Sequence, residues 1–138
     1  MNFRQRIGNL TAQRVFLLLE ALFHLMAARI ALGLLPYRLY ERLLKVETPV
    51  AARIDTVTAK AVGSAVSRMA GMIPWRSDCL PQATAAQWML RRRKISTRLC
   101  IGVALEHEPF HAHAWLVHHS VVLTGRKGHN RFRTIRSY

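Results

Sequence analysis

The apolar positions of the chain follow a helical period through its first half and a two-residue period in its last third. Val15, Leu18, Leu19, Leu22, Phe23, Leu25, Met26 and Ile30 cover most of a helix circumference, broken by Glu20, His24 and Arg29. Thr11 is placed to cap this helix, which is predicted to run to about Ala31, with Gly33 and Pro36 ending it. A helix apolar nearly all round is either buried or in need of a partner surface, and the core reading is preferred. Residues 1–10 are polar and basic and are expected to fray. A short basic helix, Tyr37 to Lys45, should turn Leu39, Leu43 and Leu44 inward. Thr48-Pro49 reads as an N-cap followed by proline at the first helical position. The helix it starts should reach Met69 or Ala70, packing through Ala52, Val57, Ala59, Val62, Val66 and Met69. Gly63 inside it costs about 1 kcal/mol relative to alanine.

Gly71 and Pro74 close that helix, and Trp75-Arg76-Ser77-Asp78-Cys79-Leu80-Pro81 opens the next. Ser77 and Asp78 are capping types, and Pro81 is tolerated only in a first turn. Gln82 to Leu90 is a strong helix former, and Arg91-Arg92-Arg93-Lys94 sets positive charge at the negative end of the helix dipole. The period then changes. Thr97 to Leu105 reads as a buried strand, Glu106 to Pro109 as a turn, and Phe110 to His118 as its antiparallel partner. Val121 to Thr124 is a third strand after a tight connection at His119-Ser120, and a basic tail follows from Gly125. The expected fold is α+β: N-terminal helices, then a cysteine-bearing helix packed on a small antiparallel sheet. One domain spans residues 1–138, with a helical layer over 1–70 and a catalytic core over 71–138.

Charge and cysteine content narrow the class. The formal charge is +14, from 21 Lys and Arg against 7 Asp and Glu, so acidic partners are attracted. Zinc-finger spacing, ribonucleoprotein motifs and glycine-rich phosphate loops are missing, so nucleic acid is not expected as a partner. Two cysteines, Cys79 and Cys100, form no disulfide framework, which fits a reducing, cytoplasmic setting. No secretory signal is recognisable at the start. Because Glu20, His24 and Arg29 interrupt the apolar run, a transmembrane anchor is not expected, while a peripheral membrane contact stays open.

The candidate chemistry lies in two stretches. Cys79 falls at the amino end of a helix, where N–H groups and the dipole favour a thiolate, with Arg76 near by. Cys100, inside Leu99-Cys100-Ile101, reads as core. In Phe110-His111-Ala112-His113-Ala114-Trp115, strand alternation puts His111, His113 and Trp115 on one face. A thiol and an imidazole are the two halves of an activated cysteine nucleophile. A His-x-His strand also suits a metal, but no third soft ligand stands at a usual spacing, so neither metal nor cofactor is expected. His113, between two alanines, is the preferred base. A two-residue hairpin loop at His119-Ser120 pairs residue 113 with residue 126, so the group orienting the ring is expected at Thr124, Gly125 or Arg126. No acid follows Glu108, so a hydroxyl, amide or carbonyl must hold the imidazole, with Thr124 and Asn130 as side-chain candidates. Trp75, Gln82 and Trp115 are candidate walls of a substrate cleft.

The segments WRSDCLPQATAAQWMLRRRKISTRLCIGV and FHAHAWLVHHSVVLTG resemble the leader peptidase of lasso-peptide biosynthesis, a branch of the transglutaminase-like cysteine proteases. The N-terminal LLLEALFHLMAARIALGLLP is similar to that family's apolar helical region. The resemblance implies a transglutaminase- or papain-like core and removal of the leader from a ribosomally made precursor peptide. It carries Cys79 onto the nucleophile and His113 onto the base, whereas the family's Asp after the histidine has no counterpart here. It further implies a separate leader-recognition protein and an ATP-dependent macrolactam cyclase as partners. Two rival readings are a catalytically impaired scaffold of the maturation complex and a basic nucleic-acid or membrane binder without chemistry.

Overall fold

The computed structural model describes residues 3–45, 54–74, 78–104, 111–125 and 133–138. Four helices precede a four-stranded antiparallel sheet: α1 (Phe3–Leu34), α2 (Tyr37–Leu44), α3 (Thr56–Met72), α4 (Cys79–Arg92), β1 (Arg98–Ala104), β2 (His111–His118), β3 (Val121–Thr124) and β4 (Arg133–Ser137). The sheet order is β3-β2-β1-β4, so the histidine strand lies between two others.

Helix α1 is longer than the pattern suggested. It starts at Phe3, without a stop at Thr11, and runs through Gly33 to Leu34, with Pro36 beyond it. Helix formation is cooperative, so the strong central run extends the element outward past weaker formers. Its burial also departs from expectation. Ala21, Leu25 and Ala28 are fully buried against α3 and α4, whereas Phe16, Leu19, Phe23, Met26 and Ile30 lie on an exposed side. The core reading therefore holds for one side only. By length and composition Thr11–Leu34 could cross a membrane, although its inner side is committed to the core.

Helix α2 is fixed by Tyr40, whose hydroxyl meets Thr84 Oγ1 on α4 at 2.5 Å. That choice of face buries Tyr40 and Leu44 and leaves Leu39 and Leu43 exposed, contrary to the inward placement expected of all three leucines. Burial raises the Tyr40 phenol above its usual range. Arg91 of α4 donates to the carbonyls of Leu43 and Leu44 at 3.0 and 3.2 Å, satisfying the otherwise orphaned end of α2.

Thr48-Pro49 and Ala52 lie outside the described residues, and α3 starts at Thr56 with a different cap. Asp55 accepts from the Thr58 amide at 3.0 Å and from its hydroxyl at 2.7 Å. Ala59, Val62 and Val66 are buried as expected, but Val57, in the first turn, is 81 % exposed. Gly63 has a packing role: a Cβ there would lie 2.7 Å from the Leu123 carbonyl oxygen, so its absence lets α3 sit directly on β3.

The middle of α1 and the C-terminal end of α4 are tied by charge. Arg93 donates through both terminal nitrogens to Glu20, at 2.8 and 2.6 Å, and this bond holds the Glu20 carboxyl below its ordinary range. Strand β4, which no pattern in the tail announced, closes the sheet edge. Tyr138 exchanges two 2.8 Å backbone bonds with Leu99, and its hydroxyl donates to Glu41 on α2 at 2.8 Å.

The hairpin from β2 to β3 turns at His119-Ser120 as expected, with His119 at φ 52°. His118 pairs with Val121 and Val117 with Val122, but a bulge then sets Leu116 opposite Thr124. The extra residue shifts the register by one relative to the count used above. Residue 126, the counted partner of His113, lies outside the described residues.

Candidate active site

Cys79 is the first residue of α4; Asp78 occupies the N-cap position as expected of its type, but its side chain makes no capping hydrogen bond to the helix. Pro81 occupies the first turn and is buried, as its missing N–H permits. The cysteine is half-buried at the margin of the core, whereas Cys100 is buried in β1, its sulfur 3.9 Å from Ser137 Oγ. The two thiols are thus separated into a helix tip and a strand interior, as the sequence suggested.

The sulfur of Cys79 meets β2 at one specific peptide group. The amide joining His113 to Ala114 donates its N–H to Sγ at 3.4 Å. That amide and the amino end of α4 both turn positive dipole ends toward the sulfur. Packing of Ala114 and Leu116 into the core beside α4 fixes this approach. The small side chain at 114 lets the helix tip come close to the strand.

His113 and Trp115, alternate residues of β2, stand side by side, ring centroids 6.0 Å apart and planes inclined by 24°. Trp115 is 6 % exposed, so it backs the imidazole instead of forming an open wall. Nε2 of His113 lies 2.7 Å from the Gly125 carbonyl oxygen. A carbonyl can only accept, so Nε2 carries the proton and Nδ1 of the neutral ring is left as the basic nitrogen.

The position of Gly125 is specific to glycine. Its φ is +70°, and a Cβ there would overlap the Ala114 carbonyl oxygen and lie 3.1 Å from His113 Nε2. The hairpin count had pointed to positions 124 to 126, and the group found there is a main-chain carbonyl. Thr124, the neighbouring hydroxyl candidate, is 2 % exposed and faces Leu116 in the core. A backbone acceptor leaves no mark in side-chain identity; the one available signal was a glycine directly after a short strand.

Other candidates are distributed as follows. Gln82 is half-buried in the first turn of α4, its amide bonded to the Asp78 carbonyl at 3.3 Å. Trp75, Arg76, Ser77, Glu106, Glu108 and Asn130 lie outside the described residues. His118 is fully buried and engages the Ser96 carbonyl through Nδ1 at 2.6 Å, which makes it structural. Two grooves among the described residues lie away from the thiol, one beside Ser96 and His119 and one between α1 and α3.

The profile of the Transglutaminase-like superfamily matches residues 22–137, and the chain belongs to that superfamily. The α+β architecture agrees with this membership. No curated protein and no solved structure gives a significant match.

Proposed function

We propose that this member of the transglutaminase-like superfamily is a cytoplasmic cysteine endopeptidase that removes the leader from a lasso-peptide precursor. The observation that carries the catalytic reading is the seat of the Cys79 sulfur, at a helix tip and against the peptide bond that follows His113. Support for the finer reading comes from the resemblance of the cysteine-helix and His-Ala-Trp segments to the leader peptidases.

Cys79 is the nucleophile and His113 its base. The Nδ1 lone pair takes the thiol proton, and the thiolate attacks the scissile carbonyl to give a tetrahedral oxyanion. The Cys79 backbone N–H, at a helix position without an intrahelical acceptor, donates to that oxyanion. Collapse of the intermediate breaks the C–N bond, and His113 gives its proton to the departing amine. The thioester is then hydrolysed by a water that His113 deprotonates, which regenerates the thiol and releases the new carboxylate. Gly125 keeps the ring in the Nε2–H tautomer throughout, the task an aspartate performs in a complete triad. Trp115 stacks behind the ring, and Gln82, in the first turn of α4, flanks the approach of the peptide.

The substrate is delivered by a separate leader-recognition protein, and the released core peptide is the substrate of an ATP-dependent macrolactam cyclase. Incubation with precursor peptide and recognition protein, followed by mass spectrometry, tests the reading. Leader and core fragments should appear with the wild-type chain and not with Cys79→Ala. Intact precursor in both reactions, with Cys79 inert to alkylation near neutral pH, would reject it.

A further inference from the structure

From Val15 to Leu34 the side of α1 turned away from the core is apolar. Phe16, Leu19, Phe23, Met26, Ile30 and Leu34 are all exposed, Phe16 by 77 % and Leu34 by 78 %. Arg29 is the one polar residue among the exposed positions from Val15 to Leu34. At 1.5 Å per residue the stripe from Phe16 to Leu34 is about 27 Å long. A continuous apolar surface of that length marks an interaction site, unlike singly scattered apolar residues.

The charges around it are of one sign. Glu20, the acid of α1, is turned to Arg93, and Glu41, the acid of α2, is taken by Arg136, Lys45 and Tyr138. Arg14 lines the groove between α1 and α3, so the exposed charges on the described outer side of the two helices are Arg29, Arg38 and Arg42. Tyr37, Leu39 and Leu43 are likewise exposed on α2, which begins three residues after Leu34.

We propose that the outer face of α1, continued by α2, docks in the plane of an anionic lipid bilayer. The apolar stripe enters the headgroup boundary, and the arginines extend their stems along it to reach lipid phosphates. A second copy of the chain fits poorly, because each carries a formal charge of +14 and would bring arginines against arginines. A protein partner is expected to trade about one hydrogen bond per 100–200 Å² of interface, whereas this stripe offers little besides Arg29. Lipid hydrocarbon requires none. The helix lies on the membrane and does not cross it, because Ala21, Leu25 and Ala28 would otherwise have to leave the core.

The test is co-sedimentation of the full chain with phosphatidylcholine vesicles with and without phosphatidylglycerol, at low and high salt. Binding should require the anionic lipid and weaken with salt. The double change Phe16→Ser and Phe23→Ser should lower it by at least about tenfold, as expected for withdrawing two large apolar side chains. Arg38→Gln and Arg42→Gln should each lower it by about fivefold. All of these positions are exposed, so circular dichroism should be unchanged. The proposal is overturned by absence of binding to the anionic vesicles, or by binding that the phenylalanine change leaves intact. Stripe-dependent self-association or capture of an acidic protein, without vesicle binding, overturns it equally.

Discussion

His113 donates from Nε2 to the carbonyl oxygen of Gly125 across 2.7 Å. The bond fixes the neutral imidazole in one tautomer and directs its basic nitrogen to the opposite side of the ring. Nitrogen-15 spectra of the neutral protein should therefore show His113 protonated at Nε2, and an Nδ1–H signal would contradict the assignment. Gly125→Ala should reduce turnover by about 10- to 10³-fold, less than the loss of aspartate from a serine triad, because a cysteine thiolate can form before substrate arrives.

The two cysteines should respond oppositely to replacement. Cys79→Ala is expected to abolish cleavage with little change in stability, since its side chain is half-buried at a helix tip. Cys100→Ala should keep activity and cost about 1 kcal/mol, as expected for a small buried side chain in a strand. Measuring product release and urea midpoints for both separates the roles. Residual cleavage by Cys79→Ala would remove it as nucleophile.

The Glu20–Arg93 pair makes a pH-dependent contribution. Because the carboxyl is held below its ordinary range in the folded protein, its stabilisation is complete above about pH 4.3, where the unfolded chain is also ionised. It is lost as pH falls through the folded value. Glu20→Gln should cost about 1–2 kcal/mol at neutral pH, reduced by partial solvent screening, and the difference from wild type should shrink in acid. Denaturant titrations across that range check it; a constant difference would place the effect in packing.

Neighbouring histidines should be distinguishable by stability alone. His118→Ala removes a buried ring and its bond to the Ser96 carbonyl, and should cost about 2–4 kcal/mol. His119 sits exposed at positive φ, so His119→Gly should be neutral or gain up to about 1 kcal/mol. Thermal melts of the two variants give the comparison, and equal destabilisation would refute it.

What the sequence revealed follows from where the information resides. Cys79 at a helix start and His113 on a strand with Trp115 were legible because capping residues and two-residue alternation are local signals. The position opposite His113 was approached by counting through a tight hairpin, and the bulge at Leu116 moved the register by one. The face of α2 was misjudged because Tyr40 seeks the Thr84 hydroxyl, a contact between residues distant in sequence. Strand β4 was missed for a similar reason: Arg133–Ser137 carries little apolar signal and becomes a strand by pairing with β1.

The seat of α3 on β3 has a further consequence. Gly63 meets the Leu123 carbonyl, and two residues later, just past the end of β3, Gly125 presents the carbonyl that orients His113. Helix α3 is in effect a backstop for the His113–Gly125 hydrogen bond, packed against the edge strand that leads to it. Selection for higher activity can therefore act on α3, at positions that a substrate-based screen of the cleft would never sample. Stabilising substitutions chosen there for helix propensity carry a hidden risk of detuning the imidazole.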